Sequence, residues 1–488
     1  MAVRRCQQPA AVPVAHTRSP VRDARTKRYA VERCRCRRWR GPGALLAALL
    51  ATGCATSAER FEIVDRTLAS EGPQAALARV ESHPAAIDNS ALGLLEKGML
   101  LHLTGDHEGS NARLAEAAER MDVLEPFSVT EGLAAVTISE NLREYVGQPH
   151  ERVLLHVIRA FNFMARQRWD EARVEARQID LRLNALAQAP FYRDDPFARY
   201  VAGLIHEELG ERDDARIAYR KAWQAYRDQH EATGVDVPRP LQQALLRVTD
   251  DPVFADEHAE LRALFAGPTA GADDADADTD ANNGTGTATR AQTGRIVLIL
   301  GDGRAPRMRE VAINAQHPRT GRLHRIAVPA YGRSRKALHG ASLHANGQST
   351  DAAVVHDIDA LARQSLDARM PGIMARAVVR VAAKNRMVSE AGDEDPLLGF
   401  LVNIFTFASE RADDRAWTTL PGGYRLAEIA LAPGPHEVEL ELHGRGGASW
   451  RENLGTVDVT AGRTQFLFAH SLSARVPFQL TSGDQREH

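Results

Sequence analysis

Cysteine is scarce in this chain of 488 residues. Cys6, Cys34, Cys36 and Cys54 are the four present, and none lies beyond residue 54. The body after Cys54 can therefore hold no disulfide and no cysteine metal site. Cys34-Arg35-Cys36 lacks the two-residue spacer and the second pair that zinc sites usually show. Long apolar runs are missing as well. Ala44–Ala51 has eight residues and Leu397–Ala408 twelve, both short of the roughly 20 that cross a bilayer as a helix. Positive charge is outnumbered by negative outside the N-terminal segment. Residues 1–53 carry twelve Arg and Lys against Asp23 and Glu32, so a net charge of −3 leaves −13 on the rest. A body that acidic is a poor candidate for nonspecific nucleic-acid binding, which needs cationic surface to displace counterions. What remains, 44% hydrophobic and 26% charged, is the composition of globular domains, in a chain long enough for two or three of them.

The N-terminal segment has an ordered pattern. An Arg-rich stretch, Arg33 to Arg40, precedes Gly41-Pro42-Gly43, then the apolar run Ala44–Ala51, then Thr52-Gly53-Cys54. A basic flank, a short apolar core and small residues before a cleavage point make a secretory signal. Thr52-Gly53-Cys54 resembles a lipobox, although Ala51 stands where Leu is usual. The resemblance implies cleavage before Cys54, acylation of that cysteine and attachment to a membrane, since each buried methylene adds about 0.8 kcal/mol. Ala55 follows where Asp would favour inner-membrane retention, which points to the outer membrane; the periplasmic face is the expected one, although Ala55 does not determine it.

Residues 54–266 are rich in Ala, Leu, Arg and Glu at helical spacing. A motif recurs in them. Gly98, Gly105, Ser110, Leu114 and Ala117 share their spacing with Gly203, Gly210, Ala215, Tyr219 and Ala222, and, more loosely, with Ala160, Gln167, Ala172, Ala176 and Ile179. This resembles the tetratricopeptide repeat, in which small residues on two successive helices let them approach closely. The units start 62 and 43 residues apart, against roughly 34 in a regular array. The expectation is an irregular array with extra helices between its units, and a concave surface that binds a protein partner. His102 and His206, on the first helices, are expected to be exposed there. Plain helical packing is the alternative.

Residues 267–294 hold five Asp among Gly, Thr, Ala and Asn, with no bulky apolar side chain. They are expected to form a disordered linker, open to mild protease, between two folded pieces. From 295 to 480 the period changes. Short strands are expected at 296–300, 310–313, 323–328, 424–431, 437–443, 454–460 and 464–469, and helices at 354–391 and 396–412. In Glu437–Leu442 the apolar residues alternate with glutamates, which puts Val438, Leu440 and Leu442 on a core face. Pro433-Gly434-Pro435 and Ala461-Gly462 read as the turns of hairpins. The fold class is therefore α+β and multidomain: an N-terminal all-α tetratricopeptide-like array, then a C-terminal α+β domain with a small antiparallel, sandwich-like sheet and a helical insertion. Arg369, Arg376, Arg380 and Lys384 recur at helical spacing within that insertion and could meet an acidic partner, or form a solvated face.

Asp367-Ala-Arg-Met-Pro-Gly-Ile-Met-Ala-Arg376, followed downstream by Asp414-Arg-Ala-Trp-Thr-Thr-Leu-Pro421, resembles an uncharacterised family of Gram-negative envelope lipoproteins. In that family tetratricopeptide-like helices precede such an α+β domain. The resemblance implies no reaction. It implies a link to peptidoglycan synthesis, because the family's genes often neighbour those of lipoprotein activators of peptidoglycan synthases.

Motifs that carry catalysis are missing. Gly301-Asp302-Gly303 follows a strand but leads into no GxGxxG or P-loop, and there is no GxSxG and no HExxH. Neither a cofactor nor a metal is expected. Arg415 and Trp417, two residues apart, share a face if they lie on a strand and could stack on a sugar or nucleobase, but Trp417 reads better as a packed core aromatic. Two functions follow. The first is a lipid-anchored, non-enzymatic scaffold for envelope proteins, with His102, His206, the basic stripe, Arg415 and Trp417 as contacts. The second is a glycan- or peptidoglycan-binding module, or a hydrolase, in the C-terminal half.

Overall fold

The computed structural model describes residues 57–82, 90–124, 144–188, 194–266, 293–316, 323–394, 411–473 and 479–480. Cys54, the second expected helix of the insertion (396–412, apart from its last two residues) and the expected linker, apart from 293 and 294, lie outside them.

Among the described residues of the first half the α-helices are α1 Ser57–Glu71, α2 Pro73–Ser82, α3 Ala91–Leu103, α4 His107–Leu124, α5 Pro149–Ala165, α6 Trp169–Leu186, α7 Pro196–Glu208, α8 Arg212–Thr233, α9 Arg239–Thr249 and α10 Ala255–Phe265. Their starts follow local chemistry. Ser90 Oγ accepts the Gly93 N–H at 3.2 Å before α3, and Asp195 Oδ1 accepts the Ala198 N–H at 2.9 Å before α7. Gln148 and Glu151 form a capping box around Pro149 at the start of α5. The three repeats are the pairs α3–α4, α5–α6 and α7–α8. The stretches 125–143 and 189–193, where the spacing between repeats departs from regularity, lie outside the described residues.

The second half contains β1 Gly294–Asp302, β2 Met308–Gln316, β3 Leu323–Tyr331, β4 Leu338–Ala345, β5 Gln348–Asp351, β6 Ala353–Asp357, α11 Ile358–Glu394, β7 Gly423–Leu431, β8 Gly434–Gly444, β9 Ser449–Val459, β10 Thr464–Ser471 and β11 Gln479–Leu480. A five-stranded sheet, ordered β11-β10-β1-β7-β6, packs on a four-stranded sheet, β5-β4-β8-β9. The sandwich is therefore present, but it is not wholly antiparallel, because β1 and β10 run parallel. The two expected turns also act differently. Pro433–Pro435 and Ala461-Gly462 each carry the chain from one sheet to the other, and the hairpin between them is β8–β9.

The unbroken apolar run of β1 records burial on both faces. Ile296, Leu298 and Leu300 point into the sandwich with Ile429, Leu440 and Val457. Val297 and Ile299 point the other way and share a core with Leu95, Met99, Phe161 and Phe197 of the helices. The described residues thus form three layers: helices, the five-stranded sheet, the four-stranded sheet. The expected alternation in β8 is present, with Val438, Leu440 and Leu442 buried and Glu437 and Glu439 exposed. The insertion helix α11 begins four residues later than its pattern suggests, because residues 353–357 pair with β7. It lies over the β2–β3 hairpin, with Leu366 and Ile373 against Met308 and Tyr331.

Candidate functional site on the concave face of the helical layer

The repeat motif does what its residue types suggest. A Cβ on Gly98 would lie 2.6 Å from Leu114 Cδ2, and one on Gly203 only 2.3 Å from Tyr219 Cδ1, so a hydrogen is all that fits at either crossing. Ala160 and Ala172 are fully buried in the middle pair, as is Ala215 in the third. The connectors turn through the left-handed region at Gly105 (φ +83°), Gln167 (φ +55°) and Gly210 (φ +75°). The third motif, the loosest in sequence, thus repeats the same backbone with a glutamine in the strained place.

The first helices of the pairs, α3, α5 and α7, face inward. The surface they line is covered by the five-stranded sheet and by residues 416–420, which lead into β7. Glu96 of α3 accepts the backbone N–H of Thr418 at 2.7 Å and of Thr419 at 3.1 Å, together with the Thr418 hydroxyl at 2.9 Å. Glu151 of α5 accepts the backbone N–H of Trp417 at 2.8 Å, while its other oxygen takes the Gln148 N–H at 2.9 Å and the Tyr145 hydroxyl. On the opposite side Arg335 Nη2 donates to the Thr418 carbonyl at 2.7 Å, and the Ala305 N–H to the Leu420 carbonyl at 2.6 Å. Two carboxylates from successive repeats therefore grip three consecutive backbone amides, as a peptide-binding groove would grip a ligand. Both glutamates are 1% exposed. Burial raises Glu96 to about 7 against the hydrogen bonds from Thr419 and Thr418, and burial likewise raises Glu151.

The α7 end of the face uses charge and aromatic contact. Glu207 accepts from Arg247 at 2.9 Å, Arg295 at 3.2 Å and the Tyr219 hydroxyl at 2.6 Å, and the same two arginines reach Glu428 of β7 at 2.8 and 3.2 Å. Burial acts to raise Glu207, but Arg247 and Arg295 outweigh it and hold the carboxyl at about 2. Asp195 meets His356 Nε2 at 3.3 Å, and the His356 ring stacks on Phe197 with centroids 5.2 Å apart.

Several expected contacts sit elsewhere than on an open surface. His102 is buried, its Nδ1 2.7 Å from Asn162 Oδ1, and burial and His107 lower its pKa to about 3. His206 is largely covered, its Nδ1 2.6 Å from Glu211 Oε2. With Asp214 these two are the one group among the described residues whose metal-type donor atoms converge, within 4.8 Å, but Glu211 is already engaged by Arg173 as well. The basic residues of α11 do not form one open stripe. Arg369 turns inward to Gln148 Oε1 at 2.6 Å and Arg380 is buried, whereas Arg376 is exposed. The Lys384 side chain lies outside the described residues. Trp417 is 1% exposed, its Nε1 3.0 Å from Thr419 Oγ1, and Arg415 pairs with Asp413 at 2.8 Å over the Tyr145 ring. These two therefore form no platform for a sugar, because the backbone amides that fix Trp417 draw it into the core.

Sequence reasoning missed Glu96 and Glu151. Glu96 does carry a signal. It falls on the stripe of Leu92, Met99 and Leu103, a lone acid on an apolar helix face.

No family model matches the chain, and no curated protein matches it. Solved structures are similar over part of it. A MamA fragment from Desulfovibrio magneticus RS-1 is 15% identical over 43% of this chain and 91% of that one, with a TM-score of 0.28. A crystal structure of MamA protein is 14% identical over 47% and 97%, with a TM-score of 0.29. The apo form of RapI is 11% identical over 51% of this chain and 69% of its own, also with a TM-score of 0.29.

Proposed function

We propose that this chain is a lipoprotein held by acyl groups on Cys54 at the periplasmic face of the outer membrane, where it works as a non-enzymatic adaptor for envelope proteins. The link to peptidoglycan synthesis rests on the family resemblance alone. The observation that carries the adaptor reading is the grip of Glu96 and Glu151 on the amides of residues 417–419. Such a grip on successive backbone amides would suit an extended peptide, and here the chain's own backbone takes that place. The consequence is that an outside partner meets other surfaces. The outward sides of α6 and α8 offer exposed apolar residues, Val174, Leu181 and Ile217, of which Val174 and Leu181 are seven apart and share a helix face.

Two experiments test this. Cys54→Ser should abolish fatty-acid labelling and release the chain from the outer membrane, and a mutant that still labels refutes the anchor. A photo-crosslinker at Val174 or Leu181 should capture an envelope protein in cells, while one at exposed Glu437 on the sandwich should not. If α6 captures nothing and the purified chain sediments with sacculi, the glycan-binding reading replaces the adaptor.

A further inference from the structure

The α1 end of the helical layer holds more positive charge than its packing requires. Asp65, buried in α1, accepts from Arg304 Nη1, from Nε (3.1 Å) and Nη2 of Arg307, and from Arg335 Nη1 at 2.7 and 2.8 Å. One guanidinium would neutralise it. Arg335 is fully used, since its Nε donates to the Ala305 carbonyl and its Nη2 to the Thr418 carbonyl, each at 2.7 Å. The other two are not. Arg304, 9% exposed, uses Nη1 alone and leaves its buried Nε with no acceptor. Arg307 Nη1 reaches no closer than 3.5 Å to Glu62.

An open cavity of about 630 Å³ adjoins this cluster, walled by the same three arginines together with Arg66 and Arg333. Among the described residues, the carboxylates that pair with these five guanidiniums are Asp65 and the part-exposed Glu62. Arg333 is exposed and forms no ion pair among the described residues. Three positive charges are thus uncompensated around one cavity, two of the arginines being largely out of water. Cations brought together at low dielectric are costly unless an anion enters. Guanidinium forks fit planar or tetrahedral oxyanions. A carboxylate would answer one of the surplus charges, whereas phosphate carries close to two.

We propose that this cavity binds an oxyanion of the phosphate class through Arg304, Arg307 and Arg333, with Arg335 and Asp65 as positioning residues. The same chemistry is available from a soluble phosphate ester or from the headgroup of an anionic lipid. Asp65 lies eight residues into α1, about 12 Å along it. If the proposed acylation at Cys54 is correct, the site stands close to a bilayer, and the lipid source rests on that reading.

The test uses the full chain in low-salt chloride buffer, with inorganic phosphate as the calorimetric probe and flotation on vesicles of phosphatidylglycerol or phosphatidylcholine. Phosphate should bind saturably. Arg333→Glu should weaken it about tenfold or more, with the melting temperature in chloride not lowered, because this side chain makes no contact with Asp65 and its loss relieves the surplus positive charge. Arg333→Lys should keep part of the affinity. Preferential binding to phosphatidylglycerol vesicles that phosphate displaces assigns the site to a headgroup. Phosphate binding with no vesicle preference assigns it to a soluble ester. Two results overturn the proposal: a phosphate response no larger than that to added chloride, or binding that Arg333→Glu leaves intact, which would mean an adventitious ion only.

Discussion

Glu96 and Glu207 occupy opposite ends of one concave face, on α3 and α7, and both tie the helices to the sheet half. They do so by opposed physics. Glu207 sits in a network of two arginines and two glutamates that closes its own charge. Glu96 faces neutral backbone amides, and no cation pairs with it among the described residues. The same side chain is held at about 2 in one place and raised to about 7 in the other. The α7 end is thus a permanent charged bolt, while the α3 end is a contact whose charge state changes near neutrality.

The comparison breaks most plainly at the charged end. Removing Glu207 as Ala leaves Arg247 and Arg295 sharing Glu428, and should cost about 3–5 kcal/mol in urea unfolding. A loss below 1 kcal/mol would show that Glu428 suffices for both arginines. The contribution of Glu207 is fully present above its ordinary value of 4.5 and is lost as pH falls through about 2.

Glu96 should behave in the opposite sense. Between its ordinary 4.5 and about 7 the folded chain keeps a proton that the unfolded chain releases, so this residue makes stability fall as pH rises through that window. Glu96→Gln should cost about 1–3 kcal/mol, because the amide group replaces one acceptor with a donor facing N–H groups, and should flatten that slope. An unchanged slope in the variant would assign the titration to another group.

Two smaller changes sharpen the packing side. Gly203→Ala forces a carbon against the Tyr219 ring and should cost about 1–3 kcal/mol by thermal or urea unfolding. Gln167→Gly should stabilise by about 0.5–1 kcal/mol in the same measurement, because it relieves a left-handed residue at the one repeat connector that lacks glycine.

The sequence carried the repeats well, since a small residue, a turn seven residues later and a second small residue form a local pattern with one packing solution. It carried β1, β7, β8 and β10 for a similar reason, each having an apolar alternation or run that only buried sheet explains. It hid β4, which reads Leu-His-Gly-Ala-Ser-Leu-His-Ala and is interrupted by a bulge near Gly340. It also hid β6, whose Val354-Val355 runs into the apolar period of α11. The occupancy of the concave face was not legible at all. It depends on Glu96 and Glu151 meeting residues more than 260 positions away, and no local pattern encodes such a pairing. His102 was misplaced for the same reason, being a polar group whose burial is decided by distant partners, whereas Trp417 lies in the core as its large apolar ring suggests.

Amide hydrogen exchange at Trp417, Thr418 and Thr419 in the intact chain tests the central claim directly. If Glu96 and Glu151 hold this segment in the helical face, these three amides should open only with global unfolding and match the slowest amides of β1. Exchange at the rate of an exposed loop, with β1 still protected, would mean that the face is free and its grip on the chain's own backbone is not a feature of the folded state.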